Sequence, residues 1–96
     1  MARKFPAQPC ALCARLTPPE HLEKHHLVPR SEGGTETIVV CRNCGDQIHL
    51  LFSNDELRDH YPTLEKLQGE PRIQKWVQWI RQRNSFTFSM KTKKRR

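Results

Sequence analysis

The sequence has no long apolar stretch. Hydrophobic residues make up only 35% of its 96 residues, and its mean hydropathy is −0.80. A helix needs about 20 consecutive apolar residues to span a bilayer, and no stretch approaches that length, so we expect no membrane-spanning segment and no membrane partner. The N-terminal MARKFPAQ is not followed by the apolar region of a secretory signal. We therefore expect a cytoplasmic protein.

Acidic residues are also in short supply. Lys and Arg number 17 against 10 Asp and Glu, which gives a formal net charge of +7. Such an excess favours a polyanionic partner, and nucleic acid is the first candidate. The length fits a single domain over residues 1–96. A domain this small buries little of its surface, so its fold often needs a disulfide or a metal ion for stability.

The four cysteines provide a candidate for that stabilising element. They are Cys10, Cys13, Cys41 and Cys44, in two C-x2-C pairs separated by 27 residues. In a reducing compartment this arrangement favours one tetrahedral zinc ion per chain, bound by all four thiolates. The alternative is two disulfides or unrelated buried thiols.

The segment between the two cysteine pairs predicts a hairpin, and the segment after them predicts helices. Residues 22–28 and 35–40 resemble strands joined by the turn Ser31-Glu32-Gly33-Gly34, which gives a β-hairpin over about residues 23–40. Helices are predicted over 43–51, 54–60 and 71–83, with a further turn or two over 63–68. We divide the domain into a flexible basic arm (1–9), a zinc-clamped core (10–52), a helical wrap (53–84) and a basic, disordered tail (85–96).

Three of the five histidines lie where they can serve chemistry. His25 and His26 are on the first predicted strand, where alternation directs adjacent side chains to opposite faces. His49 is on the helix after the second cysteine pair, so that a strand histidine and a helix histidine can converge on one ion. We expect His21 and His60 to be solvated surface residues.

These features together resemble a known family. The segment EKHHLVPRSEGGTETIVVCRNCGDQIH is similar to the HNH, or ββα-metal, endonuclease motif. The shared features are the His-His-aliphatic-x-Pro start, the Gly-Gly turn, the apolar strand into C-x2-C, and a histidine five positions after the last cysteine. Together with LFSNDELRDHYPTLEKL and the following Ile/Trp-rich helix, the likeness to short, free-standing, zinc-ribbon members covers about residues 8–83.

The resemblance implies a fold and an activity. The fold is α+β: a ββα-metal (His-Me finger) core with a four-cysteine zinc ribbon and C-terminal helices. The activity is metal-dependent hydrolysis of DNA phosphodiester bonds, with low sequence specificity since no separate recognition domain fits in the chain. His26 matches the general base, and His25 and His49 match the ligands of a catalytic Mg²⁺, Mn²⁺ or similar divalent ion.

The sequence departs from the family pattern at two positions. The returning strand carries no asparagine, and Thr37 is our preferred replacement over Thr35 and Glu36. Gly45 stands where many relatives have a histidine. The catalytic ion is then left with two protein ligands, water and DNA phosphate, unless Asp46, which precedes His49 by about one helical turn, contributes.

Two arginines are candidate DNA contacts, and two other functions stay open. Arg30 at the hairpin tip and Arg42 near the helix start would hold phosphates, although a solvated surface charge explains each about equally well. The first alternative function is a non-catalytic DNA-binding zinc module of degenerate HNH fold. The second is a protein-interaction zinc ribbon that uses the Trp76 face of the last helix. A homodimer is a possible assembly.

Overall fold

Two short antiparallel sheets and four α-helices follow one another along the part of the chain that the structure describes. The computed structural model describes residues 5–86. The sheets are formed by strands β1 (Gln8–Pro9), β2 (Leu16–Thr17), β3 (Leu22–His26) and β4 (Thr37–Cys41). The helices are α1 (Arg42–Leu51), α2 (Asn54–His60), α3 (Leu64–Gln68) and α4 (Pro71–Ile80). The prediction of a small α+β domain is confirmed.

The two strands of the β3–β4 hairpin are shorter than predicted and pair in one continuous antiparallel register. Leu22 lies opposite Cys41, and His26 lies opposite Thr37. The strands end there because the chain then enters a 3-10 turn over Arg30–Glu32. Gly33 follows with φ +87°, a left-handed conformation that favours glycine.

The β1–β2 hairpin includes the last two residues of the predicted basic arm over residues 1–9. Gln8 pairs with Thr17 and Pro9 with Leu16. The turn around the first cysteine pair closes the chain on itself, with the Cys10 amide donating to the Arg15 carbonyl at 2.8 Å. Residues on the two sides of that turn are thus brought into pairing distance. Residues 1–4 of the predicted arm lie outside the described residues.

The helix boundaries agree with their sequence signals. Ser53 and Glu56 form the predicted capping box: the Ser53 hydroxyl accepts from the Glu56 amide and the Glu56 carboxylate accepts from the Ser53 amide. Helix α4 begins at Pro71 as expected but ends at Ile80 rather than at residue 83. Just after the helix, the amides of residues 82 and 83 donate hydrogen bonds to the carbonyls three residues before them. This spacing tightens the chain into a turn.

The core includes the cysteines themselves. Their buried side chains join one apolar cluster with residues from β4 and all four helices, including Val40, Ile48, Leu57, Leu67, Ile73 and Ile80. With so few large apolar residues, the sulfur cluster fills space that a larger domain would give to aliphatic side chains. No helix within residues 5–86 is long and apolar enough to cross a membrane. Most of the predicted basic tail, residues 87–96, lies outside the described residues.

Candidate metal centre and histidine cleft

The four cysteine sulfurs form one buried cluster. Two of them come from the β1–β2 turn, and the other two from the end of β4 and the first turn of α1. Their Sγ atoms all lie within 4.8 Å of one another, and each residue is at most 2% exposed. Four thiolates at about 2.3 Å from a tetrahedral zinc ion would be about 3.8 Å apart. The cluster is therefore compatible with a structural metal ion such as zinc.

The first cysteine pair has the local geometry of a metal-binding turn. The amides of Leu12 and Cys13 both point at the Cys10 sulfur, at 3.4 Å each. Amide donors stabilise a thiolate in preference to a thiol. Ala14 then adopts φ +69°, a left-handed conformation that is unfavourable for alanine.

The sulfurs ionise as one unit. The contact with the Cys10 sulfur lowers the pKa of Cys13 and raises the pKa of Cys44. One thiolate therefore forms readily in the cluster, and each further negative charge is opposed by those already present. A divalent cation at the centre removes that opposition, so the donor chemistry fits a bound metal ion.

Arg15 lies directly beside the cluster. Its Nη2 is 3.6 Å from the Cys41 sulfur and 3.5 Å from Oδ1 of Asn43. Burial works to lower the pKa of Arg15, but hydrogen bonds to the Cys41 and Cys13 sulfurs outweigh it and raise the pKa. A zinc ion bound by four thiolates carries a net double negative charge, and Arg15 offsets part of that charge.

Helix α4 and the segment after it hold the cluster from the other side. Trp76 Nε1 donates to the Cys44 sulfur at 3.4 Å, and Arg81 Nε donates to the Cys13 carbonyl at 3.0 Å. Arg15 Nη1 donates to the carbonyls of Arg83 and Ser85, at 3.0 and 2.9 Å. These contacts link the two ends of the described chain through the cysteine cluster.

The predicted metal-binding histidines lie next to each other beside the hairpin. The rings of His25, on β3, and His49, on α1, have centroids 5.2 Å apart. His25 is 4% exposed, and its Nε2 has no hydrogen-bond partner among the described residues. A buried imidazole nitrogen without a partner is costly, and a bound cation would satisfy it.

The two histidines line a cleft of about 290 Å³ that also contains the predicted general base. His26 is half-buried and lies at the end of β3. The remaining lining residues are Glu23, Lys24, Pro29, Arg30, Ser31 and Asn54. The cleft thus combines imidazole, carboxylate and cationic groups in one concave site.

Burial keeps His25 neutral. Desolvation, followed by the charges of His49 and His26, lowers the pKa of His25 to about 4. At neutral pH the ring therefore has an unprotonated nitrogen, which is the form that binds a metal ion.

The register decides which residue faces the predicted general base. Thr37 lies directly opposite His26 across the hairpin, so their side chains project from the same face. Thr35 and Glu36 precede β4, and the Glu36 backbone carbonyl accepts from the Leu27 amide at 3.0 Å. Of the three candidates for the missing asparagine, Thr37 alone pairs with His26.

The other predicted site residues are divided between the cleft and its surroundings. Arg30 is exposed and lines the cleft. Arg42, the first residue of α1, is exposed but does not line the cleft, and neither does Asp46. His60 is exposed on α2, whereas His21 is only half-exposed and stacks on Phe86, with ring centroids 5.5 Å apart. The expectation of a solvated His21 is corrected accordingly, since the chain after α4 covers it.

Sequence reasoning missed the two charged residues Glu23 and Lys24 of the cleft. Glu23 precedes His25 by two positions, and alternation along a strand puts such residues on one face, so the signal was present. A Cβ built on Gly45 would lie 1.9 Å from the Glu23 Oε2. The absence of a side chain at residue 45 is what lets this carboxylate approach the first turn of α1.

The cleft does not have a complete ligand set already in place. Among residues 5–86, only the four cysteines form a group of three or more potential metal-ligating side chains whose ligand atoms all lie within 4.8 Å of one another. His25 and His49 alone leave most coordination positions of a divalent ion to water or substrate.

The fold and the cysteine cluster define a small α+β protein built around a metal-binding donor set. The chain is similar to the uncharacterized protein YisB of Bacillus subtilis strain 168: the two are 39% identical over 74 residues, which cover 75% of this chain and 72% of YisB. The chain belongs to the same family as YisB. No family model and no solved structure matches it.

Proposed function

We propose that this protein is a metal-dependent DNA endonuclease of the HNH type, with low sequence specificity. The observation that carries the proposal is the buried, unpartnered Nε2 of His25 beside His49, in a cleft that also holds His26 and Arg30. Imidazoles with an unprotonated nitrogen, a second histidine to move a proton and a cation to hold phosphate are the parts that metal-assisted phosphodiester hydrolysis requires.

In this proposal the three histidines of the cleft perform two tasks. His26 is the general base that takes a proton from the attacking water, a task that histidine performs in many hydrolases. Thr37, opposite it, helps to orient its ring. His25 and His49 hold a Mg²⁺, Mn²⁺ or similar ion, which when bound polarises the scissile phosphate and stabilises the leaving oxygen.

The zinc-clamped frame keeps these groups in a fixed relation. The cysteine at the end of β4 and the one in the first turn of α1 bind the same proposed zinc ion, so the hairpin and the helix that carry the histidines meet there. At the other end of the hairpin, Glu32 accepts from Arg58 of α2 at 2.7 Å. A reactive geometry depends on such support from outside the site.

The proposed substrate is DNA held through its phosphates. The chain has a net charge of +7, and Lys24 and Arg30 line the cleft itself. Phosphate contacts carry little sequence information and weaken steeply as salt increases. Arg42 would extend this contact along the duplex beyond the cleft.

A non-catalytic DNA-binding zinc module is the second candidate. It is favoured by one observation: within residues 5–86, no third ligating side chain joins His25 and His49 at ligand distance. Such a module would bind DNA with the same salt dependence and without cleaving it.

Plasmid cleavage distinguishes the two functions. Supercoiled plasmid is incubated with zinc-loaded protein and added Mg²⁺ or Mn²⁺, and nicked and linear products are quantified. We expect cleavage by the wild type and at least about a 100-fold loss in His26→Ala, as for removal of a general base. His60→Ala, a substitution at an exposed histidine of α2, is the matched control and should retain full activity.

The outcomes separate the candidates clearly. Metal-dependent cleavage that survives His26→Ala unchanged would rule out His26 as the base. Salt-sensitive DNA binding without cleavage under any divalent metal would favour the non-catalytic module. Linear product formed without accumulation of nicked plasmid would indicate two sites acting together, and light scattering would then show whether the protein is a homodimer.

A further inference from the structure

We infer that Glu23 supplies the carboxylate ligand of the cation in the histidine cleft, and that this ligand gives the site its preference for hard divalent ions such as Mn²⁺. The inference rests on the proposed function, because it assigns a third ligand to the metal that function requires. The sequence motif assigns no role to Glu23.

The position of Glu23 is the first observation. It is two residues before His25 on β3, so both side chains project from the same face of the hairpin. Glu23, His25 and His49 all line the same cleft. The chain therefore brings one carboxylate and two imidazoles, the donor set of many divalent metal sites, to one concave surface.

The contact between Glu23 and Gly45 is the second observation. An ideal Cβ on residue 45 would be 1.9 Å from Oε2 of Glu23 and 2.9 Å from its carboxyl carbon. Any other residue at 45 would thus push the carboxylate away from α1. Glycine inside a helix is unfavourable by roughly 1 kcal/mol relative to alanine, so this close approach has a cost in helix stability.

The position of His49 relative to Gly45 is the third observation. His49 follows Gly45 by four residues in α1, and side chains at that spacing lie on one helix face with their Cβ atoms about 5–6 Å apart. Because Oε2 of Glu23 lies 1.9 Å from the ideal Cβ position of residue 45, the carboxylate is beside the face of α1 that carries His49. Glu23 has three side-chain torsions, so its carboxylate can turn within the cleft toward a cation bound by the two rings.

The ligand chemistry explains why the carboxylate matters. Imidazole nitrogens alone favour ions such as Ni²⁺ or Zn²⁺, whereas carboxylate and water oxygens suit Mg²⁺ and Mn²⁺. The buried Nε2 of His25 has no hydrogen-bond partner among the described residues and is therefore available to bind such a cation. Glu23 then supplies the oxygen and the negative charge that make a two-histidine site suitable for a hard ion.

Direct metal binding tests the inference without any measurement of activity. Protein whose cysteine site is already loaded with zinc is titrated with Mn²⁺, followed by electron paramagnetic resonance of the free ion, and separately with Ni²⁺. We expect Glu23→Gln to weaken Mn²⁺ binding by at least about 10-fold and to change Ni²⁺ binding much less. Zinc content and circular dichroism confirm that each variant is folded.

Gly45 provides a matched test in which the carboxylate is kept but displaced. Gly45→Ala should also weaken Mn²⁺ binding, by a smaller factor than Glu23→Gln, because the added methyl group restricts the positions open to the carboxylate beside α1. In a Glu23→Ala background the same Gly45→Ala substitution should have no further effect. This non-additivity is the signature of two residues that act through one contact.

The failure of the inference and the failure of the proposed function give different results. If His25→Ala abolishes Mn²⁺ binding but Glu23→Gln leaves it unchanged, the histidine site stands and Glu23 is not its ligand. A loss of Mn²⁺ and Ni²⁺ affinity by equal factors in Glu23→Gln would indicate a purely structural role and also overturn the inference. If the wild type binds no Mn²⁺ beyond the cysteine site, both proposals fall.

Discussion

The indole Nε1 of Trp76 donates a hydrogen bond to the sulfur of Cys44 at 3.4 Å. This contact joins helix α4 to the second cysteine pair, 32 residues earlier in the chain. A thiolate accepts such a bond more strongly than a thiol does, so the contact is strongest when the cysteines hold a metal ion. A metal ion bound by the cysteines would therefore strengthen the contact between α4 and the cluster.

Removal of the metal should be visible in Trp76. We expect one zinc ion per chain, and chelation should change the tryptophan fluorescence and destabilise the whole domain, because the cluster lies in the core. Trp76→Phe should abolish most of the fluorescence response. Trp79→Phe, which alters the 43% exposed tryptophan of the same helix, is the control and should retain it. Purified protein with no metal under reducing, chelator-free conditions would contradict the prediction.

Arg15 should be one of the most sensitive positions for stability. Arg15→Met leaves the cysteine cluster without its cation and frees the carbonyls of residues 83 and 85. Breaking a buried charge pair costs roughly 3 kcal/mol or more, measurable by urea unfolding of the zinc-loaded protein. Arg42→Ala, at an exposed arginine, should change the free energy of unfolding by less than about 0.5 kcal/mol. Equal effects of the two substitutions would refute the role assigned to Arg15.

The depressed pKa of His25 predicts a pH-dependent stability. The folded-state pKa is about 4 and the unfolded value is about 6.5. Between those values the unfolded state binds more protons, so stability is fully present above pH 6.5 and is lost as the pH falls toward 4. The difference across that window is roughly 3 kcal/mol.

The His25 contribution is isolated by comparison with His25→Leu, because protonation of the cysteines also weakens the fold in acid. The difference in unfolding free energy between the wild type and this variant should decrease steadily between pH 6.5 and 4. A difference that stays constant across that range would contradict a neutral, buried His25.

Ala14 offers a stabilising substitution. Its φ of +69° is unfavourable for a residue with a Cβ, so Ala14→Gly should raise the free energy of unfolding by about 1 kcal/mol. Ala7→Gly alters an exposed alanine with an ordinary φ and should be neutral or slightly destabilising. Thermal unfolding of the two variants in parallel measures the difference, and a destabilised Ala14→Gly would show that the left-handed turn carries no strain.

The cationic side chains of the cleft should set the salt dependence of DNA binding. Under the proposed function, Lys24→Ala and Arg30→Ala should each reduce the slope of log affinity against log salt by about 1. Lys75→Ala removes an exposed charge on α4 that does not line the cleft and should leave the slope nearly unchanged. Identical slopes for all three variants would place the phosphate contacts elsewhere.

Features with a local cause could be predicted from the sequence. The C-x2-C spacing, the Ser53–Glu56 capping box and the start of α4 at Pro71 each depend on residues within one turn of each other. The Gly33-Gly34 turn also has a local cause. A Cβ on Gly34 would lie 1.8 Å from the carbonyl oxygen of Val28, six residues earlier, so only glycine fits there. The hairpin and the four helices followed from such signals, with boundaries displaced by a few residues.

Contacts between distant segments could not be predicted in this way. Arg15 carries no pattern that marks it as the neighbour of the Cys41 sulfur, and its bonds to residues 83 and 85 join segments almost 70 positions apart. The pairing of β1 with β2 was missed because two-residue strands have no periodicity. These features depend on where the whole chain closes upon the cysteine cluster.

The sequence alone determined that this protein carries four paired cysteines, a basic surface charge and three histidines in a hairpin-and-helix segment, because residue types and spacing are properties of the chain. Tertiary structure alone decided that His25 is buried beside His49, that Thr37 faces His26, and that Glu23 lies against Gly45. Those relations depend on strand register and on the approach of one element to another. The register of the hairpin places Thr37 opposite His26, and the absence of a Cβ at residue 45 permits the approach of Glu23 to α1.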